Sequence, residues 1–342
     1  MNIRQLAKIC KVSIMTVSRA FRNQQVSADT RRVVLATAKK YNYRPNIIAR
    51  SLVRKRSQVI GLVVPNMIQS YFPHIIMGVE NFFNRFGYNL ILCDSREDIK
   101  KEEEQIRLLI DQRVAGIMVI PSAKRNGTNV FGEMKQAGVP FVLVDRHLKG
   151  VKASFVGVDN YEGGIIAASH LINLGHRRIL HLMGPKTASM AQERYMGYRD
   201  AFRQAKIEFD PGLVVENGLD EESGYRSMIK ALEARKEFTA VFAVNDPVAV
   251  GAMKALNDSE LRVPEDISLV GFANLDYTPY LKVPLTTINQ PKEEVGEIAG
   301  KLLLQHIEGR KKTQKILIKT ELVLRGSTDT CVEVDSVSAE VE

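Results

Sequence analysis

Apolar residues follow two different patterns along most of this chain. From residue 59 onward, short continuous apolar runs alternate with segments in which apolar side chains recur every three or four positions. The first pattern is typical of buried strands and the second of amphipathic helices. Strands are predicted at 59–65, 89–93, 116–120, 140–144 and 155–158, and again at 178–184, 213–216, 240–244, 267–272 and 285–288. Helices are predicted at 74–86, 103–113, 191–205, 221–235, 247–257 and 293–307.

These strands and helices form two successive arrays. Alternation of this kind produces parallel sheets with helices on both faces, so the body is predicted to be α/β, with two doubly wound parallel sheets. Ligands of such sheets bind at the carboxyl ends of the strands. Between two lobes built this way, that edge becomes a cleft that can close.

The first 45 residues have a different pattern, which predicts three short helices. Asn2 is placed to cap the first helix with Gln5 as its capping-box partner, and Ser13 and Ser27 are placed to cap the next two. Asn42 is suited to ending the third helix. Two short helices joined by so brief a turn form a helix-turn-helix, whose second helix enters the major groove of DNA.

Charge divides the chain near the same place. Residues 1–57 hold 14 Lys and Arg residues and one acid, Asp29, a net charge of +13, whereas residues 58–342 hold 34 bases and 38 acids, a net −4. A basic head favours a nucleic-acid partner. The alternative is a basic helical bundle with solvated side chains, but the helix-turn-helix spacing favours DNA binding. Hydrophobic content of 45% excludes disorder for most of the chain.

Contacts with DNA bases are expected from the second helix. Its first turn presents Ile14, Met15 and Thr16, and Arg19 lies one turn further along the same face. An arginine there can donate two hydrogen bonds to guanine, whereas Ile14 and Met15 would contact thymine methyl groups or exclude polar edges. The other DNA-binding candidates carry polar groups at or near helix N-termini, where phosphates are held: Asn2, Ser13, Ser18, Ser27 and Thr30.

Three segments of the head resemble one family in order and spacing. The sequence Val-Ser-Ile-Met-Thr-Val-Ser-Arg at 12–19 is similar to the recognition-helix motif of LacI/GalR (lactose-repressor) transcription factors, and 26–31 and 41–46 match the same family. The resemblance continues to about Thr328. It implies a helix-turn-helix head on a two-lobed body similar to type I periplasmic binding proteins, in a transcriptional regulator controlled by a small molecule.

Residues 46–52 follow a proline and could form about two helical turns, too few to be stable alone. From the residues alone, a plain linker and a short helix are equally supported. The resemblance implies a hinge helix that orders on operator binding, in which Leu52 is a wedge in the minor groove and Ala49 lets two hinge helices approach. Asn46 is assigned to the same interface.

These features divide the chain into four predicted parts. They are a helix-turn-helix domain at 1–45, a hinge helix and linker at 46–57, a two-lobed effector-binding and dimerisation domain at 58–330, and a flexible tail at 331–342. The resemblance implies crossings between the lobes near 160, 290 and 320. Lobe 1 is then about 58–160 plus 291–320, and lobe 2 about 161–290 plus 321–330.

Candidate effector-binding residues lie where the predicted strands end. Arg194 lies in a segment that matches the family's effector-clamping motif, and its rigid fork of donors suits hydroxyl or carboxylate groups. For Asp159 and Asp246, capping of a helix explains the residue as well as ligand binding does. The remaining candidates are polar groups or aromatic rings that follow strands: Tyr71, Phe72, Asp145, Asn245 and Asn274.

Two positions depart from the sugar-binding pattern of the family. Ala273 stands where the family commonly has an acid that accepts sugar hydroxyls, and the neighbouring Asn274 cannot supply a charge. Lys292 stands where some sugar-binding relatives have an aromatic ring. Together they suggest an anionic effector, such as a sugar phosphate or a sugar acid, in place of a simple hexose.

A homodimer on a palindromic operator is expected, because a single helix-turn-helix binds DNA weakly. Apolar residues such as Ile75, Met77 and Phe83 cannot all face one core, so some are expected at a subunit interface, together with the helix around 253–256. The tail beyond Arg325 lacks a leucine heptad, which favours a dimer over a tetramer.

Other classes of protein find little support. No apolar run approaches the roughly 18 residues of a membrane span, the N-terminus does not resemble a secretory signal, and three scattered cysteines form no metal or disulfide pattern. No HExxH, GxSxG, P-loop or GxGxxG motif indicates an enzyme. We expect a cytoplasmic, nucleoid-associated repressor with no cofactor and no membrane partner. An activator, or a regulator with a protein partner, is the alternative, and the sequence does not indicate whether the effector releases DNA or is required for binding.

Overall fold

The computed structural model describes residues 1–21, 25–43, 57–68, 70–124, 127, 129–310 and 312–331. Its chain divides into two compact units, Met1–Ser57 and Gln58–Glu342. The first unit is called the head below and the second the body. The predicted hinge residues Asn46, Ala49 and Leu52 and the tail from 332 lie outside the described residues.

The head contains three helices, α1 (Ile3–Ile9), α2 (Ile14–Ala20) and α3 (Ala28–Lys40). Asn2 and Gln5 form a capping box. The hydroxyl oxygens of Ser13 and Ser27 accept hydrogen bonds from the amides of the third residues of α2 and α3. Asn42, at φ +47°, ends α3. These local predictions are confirmed. The small core is built from buried residues of all three helices: Leu6, Ala7, Val17, Ala20, Val34 and Ala38.

Lobe 1 of the body contains six parallel strands in the order β11-β5-β4-β3-β1-β2. These strands are β1 (Val59–Val64), β2 (Asn89–Asp94), β3 (Gly116–Val119), β4 (Phe141–Val144), β5 (Ser154–Val158) and β11 (Lys315–Ile318). Its helices are α4 (Tyr71–Asn84), α5 (Ile99–Asp111), α6 (Asn129–Gln136) and α11 (Lys292–Ile307).

Lobe 2 contains six strands in the order β12-β10-β9-β8-β6-β7. They are β6 (Ile179–Leu182), β7 (Val214–Val215), β8 (Ala240–Ala243), β9 (Ser268–Ala273), β10 (Thr286–Asn289) and β12 (Glu321–Val323), and the last is antiparallel to β10. Its helices are α7 (Asn160–Asn173), α8 (Ser189–Ala205), α9 (Glu221–Glu233) and α10 (Asp246–Asp258). The α/β class with two doubly wound sheets is therefore confirmed, apart from this antiparallel edge.

Four elements were absent from the sequence prediction: α6, α7, β11 and β12. The pattern of α7 is hard to recognise because apolar and small residues occur around most of its circumference and two adjacent glycines, Gly163 and Gly164, lower its helix propensity. The edge strands β11 and β12 are only four and three residues long, and none of their residues is fully buried.

The chain changes sheet three times in the body. It leaves lobe 1 between Val158 and Asn160, returns between Asn289 and Lys292, and crosses again between Ile318 and Glu321. No helix among the described residues is long and apolar enough to span a membrane.

Three helix pairs in the body cross at glycines. Gly164 of α7 lies against the carbonyl oxygen of Arg194 in α8, and a Cβ at position 164 would collide with it. Equivalent close approaches occur between α4 and α11 and between α9 and α10, where the glycines involved are Gly78, Gly296, Gly224 and Gly251. Backbones can come this close because glycine has no side chain.

The expected interface residues separate into buried and exposed groups. Ile75 and Phe83 are buried in the lobe 1 core and Leu256 in lobe 2, so these three side chains are not at the surface of the body. One face of α4 packs against α11, whose neighbour is the sheet, which explains the burial of its apolar residues. Met77 is 45% exposed and is still available for an interface.

Candidate DNA-reading helix and interlobe effector site

Helix α2 exposes the residues that were predicted to meet DNA bases. Ile14 and Met15 are 45% and 63% exposed, and Arg19 is exposed one turn later. Val17 and Ala20 of the same helix are buried in the head core. Large apolar side chains at the exposed start of a helix are unfavourable in water, so this face is suited to contact with another surface.

The phosphate-binding candidates lie at helix N-termini. Ser13 bonds the Thr16 amide at 3.0 Å and the Thr16 hydroxyl at 2.9 Å, and Ser27 makes the matching pair of contacts with Thr30. Asn2 caps α1, and Ser18 is half-buried within α2. The caps orient the first turns of all three helices, whose remaining free amides are suited to phosphate oxygens.

A cavity lies between the two lobes of the body. Lobe 1 contributes the start of α4 and the loop after β4, and lobe 2 contributes α8 and the loops after β7, β8, β9 and β10. Five of the predicted residues line it, namely Tyr71, Phe72, Asp145, Arg194 and Asn245. The other lining residues are Arg146, Met190, Leu219, Pro247, Ala273, Leu275 and Gln290.

Asp159 and Asn274 do not line this cavity, so their predicted contact with an effector has no support in the geometry. Asp159 caps α7 by accepting a hydrogen bond from the Glu162 amide at 3.0 Å. The Asn274 side chain turns towards lobe 2, where it accepts from Arg325 at 2.6 Å and donates to Asn289 at 3.1 Å. Its backbone, at φ +52°, turns sharply after β9, and this turn leaves Ala273 at the cavity wall.

A hydrogen-bonded chain joins the two lobes at the cavity. The Tyr71 hydroxyl donates to Asp145 Oδ1 at 2.6 Å, Gln290 Nε2 donates to the Tyr71 oxygen at 3.0 Å, and Arg194 Nη2 donates to Gln290 Oε1 at 3.4 Å. Burial, followed by the charge of Asp145, holds the pKa of Tyr71 well above its ordinary value. Tyr71 therefore stays neutral and donates its proton to Asp145. The hydrogen bonds thus run in one direction, from the Gln290 amide through Tyr71 to the Asp145 carboxylate.

Arg194 is a buried cation with neutral hydrogen-bond partners. Its Nε donates to Asn160 Oδ1 at 2.9 Å and its Nη1 to the Val244 carbonyl at 2.5 Å, and the guanidinium lies 3.6 Å from the centroid of the Phe272 ring. Burial lowers the pKa of Arg194 to about 10, although the charge of Asp145 opposes this. Among the described residues, no carboxylate lies within ion-pair distance of it. A buried charge without a close partner is unfavourable, and an anionic ligand group would relieve this.

Arg146 is a second cavity arginine, but it is already paired. Its Nη1 donates to Glu97 Oε1 and to the Pro121 carbonyl, both at 2.9 Å, and its guanidinium lies over the Phe72 ring. Its buried Nε makes no hydrogen bond among the described residues, and it lies 3.7 Å from Asp145 Oδ2. A ligand oxygen in the cavity is a suitable acceptor for this remaining N–H group.

Two buried charges beside the cavity have structural partners. Asp246 accepts from the Thr287 hydroxyl at 2.6 Å and the Leu275 amide at 2.8 Å, and burial raises its pKa. Lys292 donates to the carbonyl oxygens of Ala273 at 2.8 Å and Asn274 at 3.0 Å. Two of the three N–H donors of Lys292 are therefore used by the backbone, and Lys292 is not among the residues that line the cavity.

Asn245 has a double structural role at the cavity wall. It caps α10 by accepting from the Val248 amide at 2.9 Å, and it donates to the Leu219 carbonyl at 2.9 Å. Sequence reasoning missed Gln290, although it directly follows β10 and the strand-end rule would have found it. Met190, Leu219, Pro247 and Leu275 were also missed, because an apolar residue in a loop or at the start of a helix has no pattern that distinguishes a cavity wall from a core.

Both the head and the body are similar to known proteins. Residues 2–46 match the family model for bacterial regulatory proteins of the lacI family, and residues 168–328 match that for a periplasmic binding protein-like domain. The HTH-type transcriptional repressor PurR of Haemophilus influenzae is 34% identical over 334 residues, 95% of this chain and 98% of that protein. The HTH-type transcriptional regulator RegA of Clostridium saccharobutylicum is 33% identical, over 96% of this chain and 99% of that protein.

Solved structures give the same result. The lac repressor dimer bound to operator and the anti-inducer ONPF has a TM-score of 0.85 at 26% identity, over 96% of this chain and 99% of that chain. The complex of the transcriptional regulator CelR with cellobiose has a TM-score of 0.74 at 31% identity, with the same two coverages.

Proposed function

Because the chain belongs to the lacI family of bacterial regulatory proteins, we propose that it is a repressor that binds a palindromic DNA operator as a homodimer. It is a DNA-binding transcriptional regulator and not an enzyme. A small-molecule effector in the interlobe cavity controls it, and it acts in the cytoplasm on the nucleoid. The observation that carries DNA recognition is the single face of α2 that exposes Ile14, Met15 and Arg19.

Charge and sequence choice have separate sources in the head. The net +13 of residues 1–57 attracts the phosphate backbone, and each phosphate contact adds about 0.9 to the slope of log affinity against log salt. Arg19 supplies a directed hydrogen-bond fork for guanine, and Ile14 and Met15 select by methyl contact and by exclusion of water. The hinge candidates Asn46, Ala49 and Leu52 contribute minor-groove contacts in this proposal.

The effector is a sugar derivative that carries an acidic group, such as a sugar acid or a sugar phosphate. Arginine has five N–H donors, and three of those on Arg194 are used by Asn160, Val244 and Gln290. Two donors, on a charge with no carboxylate of the described residues within ion-pair distance, are left for the ligand. Asn245, Asp145 and the ring of Phe72 line the same cavity and suit the hydroxyl groups and apolar face of a sugar ring.

Effector binding changes the angle between the lobes, which moves the attachment points of the two heads in the dimer. The lobes already touch across the cleft, for example where the Thr187 hydroxyl donates to the Ala123 carbonyl at 2.6 Å. Coupling of this kind is worth about 1–3 kcal/mol between the two sites. Met77, exposed on α4, is the candidate interface residue of the body.

A gel-shift titration of the full chain against DNA from upstream of its own gene tests this function. The expected result is a sequence-specific complex whose midpoint moves when a pool of sugars, sugar acids and sugar phosphates is added. Absence of specific DNA binding, with and without the pool, would contradict the proposal. Calorimetry then separates the effector classes: tighter binding of neutral sugars than of acids and phosphates would overturn the anionic effector.

A further inference from the structure

His147 connects lobe 1 to lobe 2 at the edge of the cavity. It follows β4 in lobe 1, and its Nε2 lies 2.9 Å from Glu193 Oε1 on α8 of lobe 2. Its backbone amide donates to the Ser189 hydroxyl of the same helix at 3.1 Å. The imidazole packs edge-on against the Phe155 ring, and its polar contact is with Glu193.

The contact continues from Glu193 into the cavity. Asn160 Nδ2 donates to Glu193 Oε2 at 3.3 Å, and Asn160 Oδ1 accepts from Arg194 Nε at 2.9 Å. Four side chains therefore form one polar chain from lobe 1 to the guanidinium in the cavity wall. A change in how firmly His147 holds Glu193 acts on the closure of the lobes and on the orientation of Arg194 together.

We propose that His147 is a positioning residue that makes lobe closure depend on pH. Histidine is the side chain whose charge ordinarily changes between pH 5 and 8. When His147 is protonated, its contact with Glu193 is a charge-assisted hydrogen bond, roughly twice as strong as the neutral one. Acidic conditions therefore favour the closed cleft, and alkaline conditions loosen it.

The groups around this contact support the sign of the effect. Burial would raise the pKa of Glu193, but the hydrogen bond and charge of His147, with help from Lys315 and Asn160, hold that pKa below its ordinary value. Glu193 is therefore held in its anionic form beside His147. Among the described residues, Glu193 is the one acid within ion-pair distance of His147. Asp145 and Arg146 precede it in the chain, and they pair with Tyr71 and Glu97.

A second histidine offers a matched control. His74 on α4 of lobe 1 also reaches lobe 2, with its Nε2 2.8 Å from Asp276, and its Nδ1 lies 3.5 Å from Glu293. These carboxylate side chains are 71% and 56% exposed, whereas that of Glu193 is 19% exposed. Solvent screens the exposed pair, so His74 is expected to contribute little to closure.

The proposal deepens the proposed function, since effector control acts through lobe closure, but its test uses neither DNA nor effector. Fluorescent labels on Lys135→Cys of α6 and Lys230→Cys of α9, in a Cys10→Ser, Cys331→Ser background, report the distance between the lobes. Single-molecule energy transfer on the full chain at pH 5.5 and 8.5 gives the ratio of closed to open molecules. We expect that ratio to fall about fivefold at the higher pH.

The same shift should disappear in His147→Gln and in Glu193→Gln, which keep a neutral hydrogen bond, and should persist in His74→Gln. Glu193→Gln is the second route to the result if His147→Gln folds poorly. A wild-type ratio that is equal at both pH values would overturn the proposal, as would a shift that survives in both His147→Gln and Glu193→Gln or is lost in His74→Gln. A protein that binds no operator could still show the shift, so the two failures are distinguishable.

Discussion

Arg19 in the head and Arg194 in the body represent two opposite uses of the same side chain. Arg19 is exposed on α2, a helix held by local caps, and its charge is solvated by water in the absence of DNA. Arg194 is buried, stacked on Phe272 and held by residues from three distant segments. An exposed cation contributes mainly through long-range attraction and one directed contact, whereas a buried one is already oriented and discriminates by the charge of its ligand.

Arg194→Gln is expected to have the largest effect, because it should weaken the response to metabolite and leave DNA binding by the head unchanged. Loss of one member of a buried charge pair costs about 2–5 kcal/mol, so half-maximal response of the operator complex to the metabolite pool should need at least about 30-fold more metabolite. Operator affinity without the pool should be unchanged in the gel-shift assay. Arg199→Gln is the control, because Arg199 lies on the same helix, about half exposed. An unchanged response in Arg194→Gln would show that the effector does not use this guanidinium.

Arg19→Gln is the complementary change in the head. Removal of a two-pronged guanine contact should weaken specific binding by about 1–3 kcal/mol and relax preference at one base pair of each half-site. The metabolite concentration for half-maximal response should stay the same. Binding to a set of single-base operator variants measures this, and Arg32→Gln, on α3, should weaken all variants equally. If Arg19→Gln weakened binding to all operator variants equally, Arg19 would contact phosphate and not a base.

Gly164→Ala addresses how the buried arginine is positioned. Alanine is favoured over glycine in a helix by up to about 1 kcal/mol, so any loss must come from the crossing of α7 and α8, where the new methyl group meets the Arg194 carbonyl. We expect a loss of about 1–3 kcal/mol in the free energy of unfolding, measured with urea, and a weaker metabolite response. Gly300→Ala meets the Phe82 ring in lobe 1 instead, so it should leave the response intact. Equal metabolite responses in the two variants would show that the helix crossing at Gly164 does not affect effector binding in the cavity.

The smallest expected effect is a pH dependence that belongs to the body alone. His181 is buried and packs against the rings of Tyr198 and Phe242, and burial lowers its pKa from 6.5 to about 4. Between these values the unfolded chain binds more protons than the folded one, so stability falls as pH falls. The expected loss is about 1–2 kcal/mol in the free energy of unfolding from pH 7 to pH 5.

His181→Phe should reduce this loss while keeping the stacking, and urea unfolding at the two pH values measures it. The head contains no histidine, so unfolding of its helices should not show this loss of stability between pH 7 and pH 5. The same pH dependence in His181→Phe and in the wild type would assign it to other groups.

The local sequence was sufficient to predict the features that depend on neighbours within four positions. The caps Asn2, Ser13 and Ser27, the exposed start of α2 and the ten strands of the two arrays all follow from side-chain chemistry and short-range periodicity. The strand-end rule also brought Asp145, Asn245 and Tyr71 to one cavity. It misplaced Asn274 because a left-handed turn after β9 reverses the direction of that side chain. Asparagine tolerates this conformation, but Asn274 follows a strand and lacks the helix-end context that indicated the turn at Asn42.

The sequence by itself determined the helix-turn-helix head, the two α/β arrays and the family, because these depend on periodicity, caps and the order of motifs. Only the tertiary structure decided which charges are available to a ligand. Lys292 and Asp246 are as polar in the sequence as Arg194, but backbone groups and a threonine satisfy the first two, whereas Arg194 retains free donors. The availability of a buried charge depends on which distant groups the fold brings within hydrogen-bond distance, and no local pattern encodes that.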